Sequence, residues 1–241
     1  MKTLCKSDTE TEALNRLTNL VKDGTLSSTN AWTCFSVPKS SHQFGKPIVP
    51  PVVFSEAEQA SLKAIKKRLV SYLVQSGRGA CAYCKRPVGR YGFGWHLEHV
   101  YAKSRFPSET FVLSNLTIGC VDCNRWKATS VDRTCTKGQL GIIDPTTKNF
   151  RYGKYIKYVH IATESLSLVK YLPQHPIGEQ TWTSLKFSEI ERATLIDSMN
   201  AEMAGLHARV NDFLLDRDPS DEDDQIATLL RKLQSAMYRL K

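Results

Sequence analysis

"CAYCKRPVGRYGFGWHLEHVYAKSRFPSETFVLSNLTIGCVDCNRWK" (residues 81–127) decides how this chain is read. The stretch opens with Cys81-x-x-Cys84 and closes around Cys120-x-x-Cys123, a Cys-x2-Cys-x35-Cys-x2-Cys set. Thiolates at that local spacing suit the tetrahedral shell of a structural Zn2+, with Zn–S bonds of about 2.3 Å, and such a site contributes folding free energy outright. A compact zinc ribbon has no room for the 35 residues enclosed here, so a substructure is expected between the two pairs. Inside it an acid, Glu98, stands directly before an imidazole, His99. Cys5, Cys34 and Cys135 lack partner spacing and read as small buried hydrophobes or inert thiols.

Composition sets the outer bounds. With 241 residues, 41% hydrophobic and 24% charged, the chain can bury one good-sized core or two small ones and is not of disordered type. A formal net charge of +9 favours an anionic partner, nucleic acid first among them. No run of 18 apolar residues exists, and MKTLCKSDTETEAL turns acidic too early for a signal peptide, so a cytoplasmic location and no membrane partner are expected. In that compartment cysteines are thiols or metal ligands rather than disulfides.

Working outward, residues 1–54 read as an N-terminal helix (Leu14, Leu17, Leu20 and Val21 at helical spacing, stopped by Gly24) and an extended Ser/Thr/Pro-rich connector over 25–54. Residues 55–138 hold a helix opened by a Ser55-x-x-Glu58 capping box, with Leu62, Ile65, Leu69 and Leu73 as its stripe, followed by the cysteine-bounded core. No acid falls between Glu58 and Glu98, while Lys63, Lys66, Lys67, Arg68, Arg78, Lys85, Arg86 and Arg90 do. A run this one-sided is either a solvated face or a phosphate-contacting one. Residues 139–241 give the short β-like segments GIID, KYIKYVHIA and LSLVKYL, then two helical stripes. The first stripe follows Ser188-x-x-Glu191 and the second starts at Ile226; together they predict a C-terminal helical hairpin, for packing, homodimer formation or docking of a partner. The predicted class is α+β.

The typed positions Glu98-His99, Asn115-Leu116, and Asn124 with Lys127, set between the two cysteine pairs, resemble the blocks of the HNH endonucleases in their four-cysteine zinc form. The resemblance covers about residues 78–130 and implies a zinc-bound ββα-metal core acting as a metal-dependent endonuclease on nucleic acid, DNA first. It makes His99 the general base toward water, Glu98 and Asn124 the ligands of a catalytic divalent ion, and Asn115 the brace of the histidine loop. Lys127, one turn beyond Asn124, is then placed to meet a phosphate, with Arg125, Lys103, Arg86 and Arg90 as further nucleic-acid contacts. A weaker similarity links the basic helix, the GIIDP stretch and the helical tail to HNH subunits of Septu- and retron-type phage-defence systems, which work beside an ATPase. The chain departs from the family pattern at Ala102 (commonly Pro), at RFPSET in place of Gly-Gly, at Glu98 (commonly Asp) and at Asn124 (often His).

The chemistry agrees with those roles. Hydrolysis of a phosphodiester needs a base that is neutral near physiological pH, which an imidazole provides, and a cation for the charge of the transition state. Oxygen donors from Glu98 and Asn124 suit Mg2+ or Mn2+ better than a second zinc. His96, three residues before His99, is a spare ligand or plain structure. The competing reading is a zinc-stabilised nucleic-acid-binding module without catalysis.

Overall fold

The computed structural model describes residues 1–45, 50–89, 92–162 and 167–198. Helix α1 (Asp8–Lys22) begins where the Ser7 hydroxyl accepts from the Glu10 N–H, and α2 (Ser28–Ser36) where Ser27 accepts from Asn30. Strands β1 (Ser41–His42) and β2 (Val52–Val53) form a small antiparallel pair. Helix α3 (Glu56–Ser76) opens with the expected capping box, Ser55 and Glu58 each accepting the other's backbone N–H. It ends at Gly77, and the left-handed Arg78 and Gly79 turn the chain toward the first cysteine pair.

Three helices make one apolar core. Leu14 and Leu17 of α1, Ala31, Cys34 and Phe35 of α2, and Leu62, Ile65 and Leu69 of α3 are all buried in it. Helix α2 corrects the expectation of an extended connector over 25–54. Its Ser/Thr/Asn-rich sequence has little intrinsic helix preference, but a serine cap and three buried side chains on one face outweigh that weakness. Part of the basic run is structural too: Arg68 pairs with Glu10 and donates to Leu4 O, and Lys66 donates to Ser36 O, while Lys63 and Lys67 stay exposed.

Between the cysteine pairs, β3 (Trp95–His99) and β4 (Leu116–Cys120) pair antiparallel, with His99 opposite Leu116 and Glu98 opposite Thr117. Helix α4 (Val121–Ser130) leaves β4 at Cys120, which serves as its N-cap. Leu116 and Ile118 point into the three-helix core, and alternation along the strands therefore aims Leu97 and His99 the same way and His96 and Glu98 the other way. Further on come α5 (Tyr152–Tyr155), β5 (Ile156–Ala162), β6 (Ser167–Pro173), α6 (Pro176–Ser184) and α7 (Phe187–Ser198). β5 and β6, which form a two-stranded sheet, answer the second and third β-like segments. GIID is instead an irregular loop with Ile142 and Ile143 buried.

The chain forms two compact units, Met1–Lys157 with Pro173–Lys186, and Tyr158–Leu172 with the part beginning at α7. Both expected boundaries, after residues 54 and 138, fall inside the first unit, because the N-terminal helices and the hairpin share their core. In the second unit Tyr171 packs on Phe187 with ring centroids 4.4 Å apart, and Glu191 accepts from Tyr171 N–H and Lys170 rather than closing a capping box with Ser188. The rest of the expected C-terminal hairpin lies outside the described residues. Among those described, no helix is long and apolar enough to cross a membrane.

One glycine fixes how α6 meets α5. A Cβ built on Gly178 would stand 2.1 Å from Tyr155 O and 3.2 Å from Ile156 Cγ1. Gly178→Ala should therefore destabilise the protein by about 1–3 kcal/mol and lower its Tm by several degrees in thermal unfolding followed by circular dichroism. An unchanged Tm would show that the helix does not depend on this close approach.

Candidate functional site

The four paired cysteines converge. Cys81, Cys84, Cys120 and Cys123 are all buried, and their sulfurs lie within 4.8 Å of one another. Cys84 Sγ and Cys120 Sγ are 3.7 Å apart, close to the ~3.8 Å edge of a tetrahedron with 2.3 Å Zn–S bonds. The chain builds the cluster locally. Cys81 N–H donates to Arg86 O and Lys85 N–H to Cys81 O, closing a tight knuckle in which Lys85 adopts φ 61°. Ala82 N–H donates to Ile118 O, tying the knuckle to β4, while Cys120 N–H donates to Cys81 Sγ at 3.3 Å. Hydrogen bonding among the four thiols pulls Cys120 down, while Cys81 and Cys123 are pushed up, Cys81 chiefly by burial and Cys123 chiefly by its bonds to the other thiols. Donor type, number, burial and spacing all fit Zn2+.

Arg86 belongs to this cluster. Its guanidinium donates to Cys120 Sγ at 3.4 Å and to Asp122 Oδ2 at 2.7 Å, and lies 4.1 Å from the Phe93 ring centre. It is buried, so its charge faces the sulfurs instead of a nucleic acid, contrary to the sequence expectation. Tetrathiolate zinc carries two net negative charges, and a buried cation beside it offsets them.

Strand alternation separates the adjacent Glu98 and His99. His99 faces the helices and is 4% exposed, with the Trp32 ring of α2 edge-on at 4.4 Å. Its Nε2 lies 3.0 Å from Thr110 O. A carbonyl only accepts, so Nε2 carries the proton and Nδ1 keeps a lone pair. Burial, helped by the charges of Lys103 and Lys127, pushes the imidazole down to about 3, so it is neutral at physiological pH. Asn115 ties the chain just beyond it: its Oδ1 accepts from Tyr101 N–H at 2.8 Å, and its Nδ2 donates to Tyr101 O and Glu109 O.

Glu98 faces α4 and meets Lys127 Nζ at 2.9 Å. The same ammonium contacts Asp132 Oδ1 at 2.6 Å and donates to His99 O at 2.9 Å. Lys127 is 0% exposed, so it cannot present charge to a phosphate, and the expected contact is corrected on that ground. Burial opposes its charge, but Glu98 and Asp132 outweigh burial and hold the ammonium above the ordinary lysine range. Burial also raises the Glu98 carboxyl, against the lowering pull of Lys127. One turn earlier on α4, Asn124 Nδ2 sits 2.8 Å from His96 Nδ1. Lys103 is half-buried, and the exposed Arg125 stands 3.8 Å from Asp122. Arg90 lies outside the described residues.

At the residues expected to hold a divalent ion, the Glu98 carboxylate meets Lys127 and the Asn124 amide meets His96; among the described residues the four thiols are the one group of three or more His, Cys, Asp or Glu donors gathered for a metal. His99 stands apart on the other face. Trp32, Thr110, Asp132 and Tyr83, whose buried hydroxyl has no hydrogen-bond partner among the described residues, carry no motif in the sequence; only Asp132, an acid just past a helix carrying a lysine, leaves a legible signal. Comparison with family models, with curated proteins and with solved structures finds no match for this chain.

Two outcomes test this geometry. Purified protein should carry about one equivalent of zinc, and Cys120→Ser should lose both the metal and the hairpin's folding; retained zinc in metal analysis would refute the four-thiol site. Lys127→Met, which leaves the buried Glu98 and the half-buried Asp132 carboxylates unpaired, should cost about 3 kcal/mol or more in denaturant unfolding, and adding Glu98→Gln should restore part of it. Additive losses in that double-mutant cycle would mean the pair is not coupled.

Proposed function

We propose that the protein hydrolyses phosphodiester bonds of nucleic acid, DNA first, with His99 as the general base. The observation that carries this reading is the neutral imidazole at the end of β3, anchored through Nε2 on Thr110 O and followed by the turn that Asn115 ties at Tyr101. An imidazole held in one tautomer is the form a base needs, and because burial is the main cause that lowers it, uncovering the ring would raise its basicity toward the range in which it takes a proton from water. In that reaction the water oxygen attacks phosphorus in line, the bond to the 3′ oxygen breaks, and solvent returns a proton to the leaving oxygen. The products are a 5′ phosphate and a 3′ hydroxyl. Lys103, whose charge reaches His99, is the nearest candidate to face the phosphate. The sequence resemblance to HNH endonucleases and the net charge of +9 support the same substrate class. Action beside an ATPase in phage defence, or as a homodimer, rests on the sequence of the C-terminal helices alone.

A second reading, nucleic-acid binding without catalysis, draws on two specific observations: Trp32 covers His99, and Lys127 neutralises Glu98. One experiment separates them. Zinc-loaded protein is incubated with plasmid in Mg2+, in Mn2+ and in EDTA, beside His99→Ala of equal zinc content. The hydrolytic reading expects nicked product with 5′ phosphate ends, falling about 100-fold or more in the variant. Equal rates in the two proteins would remove His99 as the base, and a gel shift with no product under any condition would establish the binding module.

A further inference from the structure

Beyond Tyr101 the chain runs into a cavity of about 410 Å³ that no step above uses. All of its lining residues belong to the first compact unit. Leu140, Ile142 and Ile177 give it apolar surface, Tyr101 and Tyr155 give it aromatic surface, and Asp144 contributes a carboxylate. Tyr155 is stacked on Phe150 at 12° and 5.7 Å, which holds its ring in place. Asp144 Oδ1 accepts from both Thr146 N–H and Thr146 Oγ1, at 2.9 and 2.6 Å, which fixes the carboxylate and leaves Oδ2 without a partner among the described residues. No lysine or arginine lines the cavity, but Lys137, which also pairs with Glu109 at 2.8 Å, lies over the Tyr101 ring at 4.8 Å and Lys154 over Tyr155 at 5.9 Å.

These features select a ligand class. The volume falls in the range of small-molecule sites, roughly 300–1,000 Å³, and holds a heterocycle with its sugar. Aromatic walls over an apolar floor suit a flat uncharged ring, while a fixed carboxylate, which only accepts, demands N–H donors from that ring's edge. A phosphate inside would meet Asp144; at the rim it would meet the two lysines. We propose that this cavity receives an unpaired nucleobase of the bound strand, and that Asp144 makes guanine the preferred one, because guanine alone among the four bases presents a ring N–H and an amino group side by side, a pair that the two oxygens of one carboxylate accept together. Unstacked bases are held in this manner, stacked on aromatic side chains and read along their Watson–Crick edges. Tyr101 connects the cavity to the reaction centre, since it follows His99 by two residues and its backbone is the one Asn115 grips. The cavity would thus seat a base close to the phosphate acted upon.

This inference rests on the nucleic-acid reading, yet its test involves no cleavage, so either can fail without the other. Zinc-loaded protein is titrated calorimetrically with GMP, AMP, CMP and UMP. GMP should bind at least tenfold more tightly than UMP. Asp144→Asn, whose Oδ1 can still accept from Thr146, should bring the four within about threefold of one another, and Tyr155→Leu should weaken all of them alike. Absence of binding by every mononucleotide overturns the proposal, as does a GMP preference that survives both substitutions. Binding by inorganic phosphate as tight as by GMP would also overturn it, because the rim lysines alone would then account for the affinity.

Discussion

The thiol cluster must supply what apolar packing does not. Of the ten residues of α4 only Cys123 and Lys127 are buried, so this helix has no hydrophobic stripe with which to dock. β3 and β4 are five residues each, too short a hairpin to persist alone in water. Closing the 35-residue span between the inner cysteines costs entropy that grows slowly with length, and a metal held by the four thiols would offset it, by about 10 kcal/mol where such sites bind structural zinc. The cluster therefore fixes the start of α4 relative to the knuckle, and the knuckle relative to β4 through the Ala82 to Ile118 hydrogen bond. Everything that faces the seam between β3 and α4 takes its position from that attachment.

Electrostatics sets what the seam can do. Two carboxylates, Glu98 and Asp132, share one buried ammonium, and a second buried cation, Arg86, lies against the thiolates. Buried charges of this kind are costly unless matched, and removing one partner costs more than the pair ever contributed. The seam thus works as a clasp: Lys127 joins α4 to the end of β3 through Glu98 and the His99 carbonyl, and to the loop after α4 through Asp132. A lysine engaged three ways is not available to a substrate. The exposed cation of α4 is Arg125.

Much of this was legible in the sequence, and the misses share a cause. The cysteine spacing, the Ser55 capping box and the stripes of α1 and α3 follow from local chemistry at fixed offsets, while the Asn115 tie was implied by the resemblance to HNH endonucleases. Lys127 and Arg86 were read as outward charges because a residue type carries no sign of direction; their partners, Asp132 and Cys120, are brought in by the fold. Helix α2 was hidden by weak propensity and revealed by burial of Phe35. The adjacency of Glu98 and His99 suggested one shared centre, but a strand places neighbours on opposite faces, and helices on one side and α4 on the other keep them there.

That separation gives the imidazole a cover of its own. His99 is 4% exposed because Trp32 stands edge-on to it, and α2 is moored nearby by the Ser28 hydroxyl donating to Lys103 O at 2.7 Å. Under the hydrolytic reading, a phosphate reaches Nδ1 only when that aromatic contact opens. Turning Trp32 away gives up its edge-on contact with His99 and its tilted contacts with Phe35 and Phe111, at about 0.5–1.5 kcal/mol each, whereas Phe35 and Cys34, fully buried in the three-helix core, would cost more to move. The cheaper motion is a turn of the Trp32 side chain with α2 left in place. Access to the base is then set by a local rearrangement of about ten- to a thousandfold in population, small enough for a bound strand to drive and large enough to keep the imidazole dry without one.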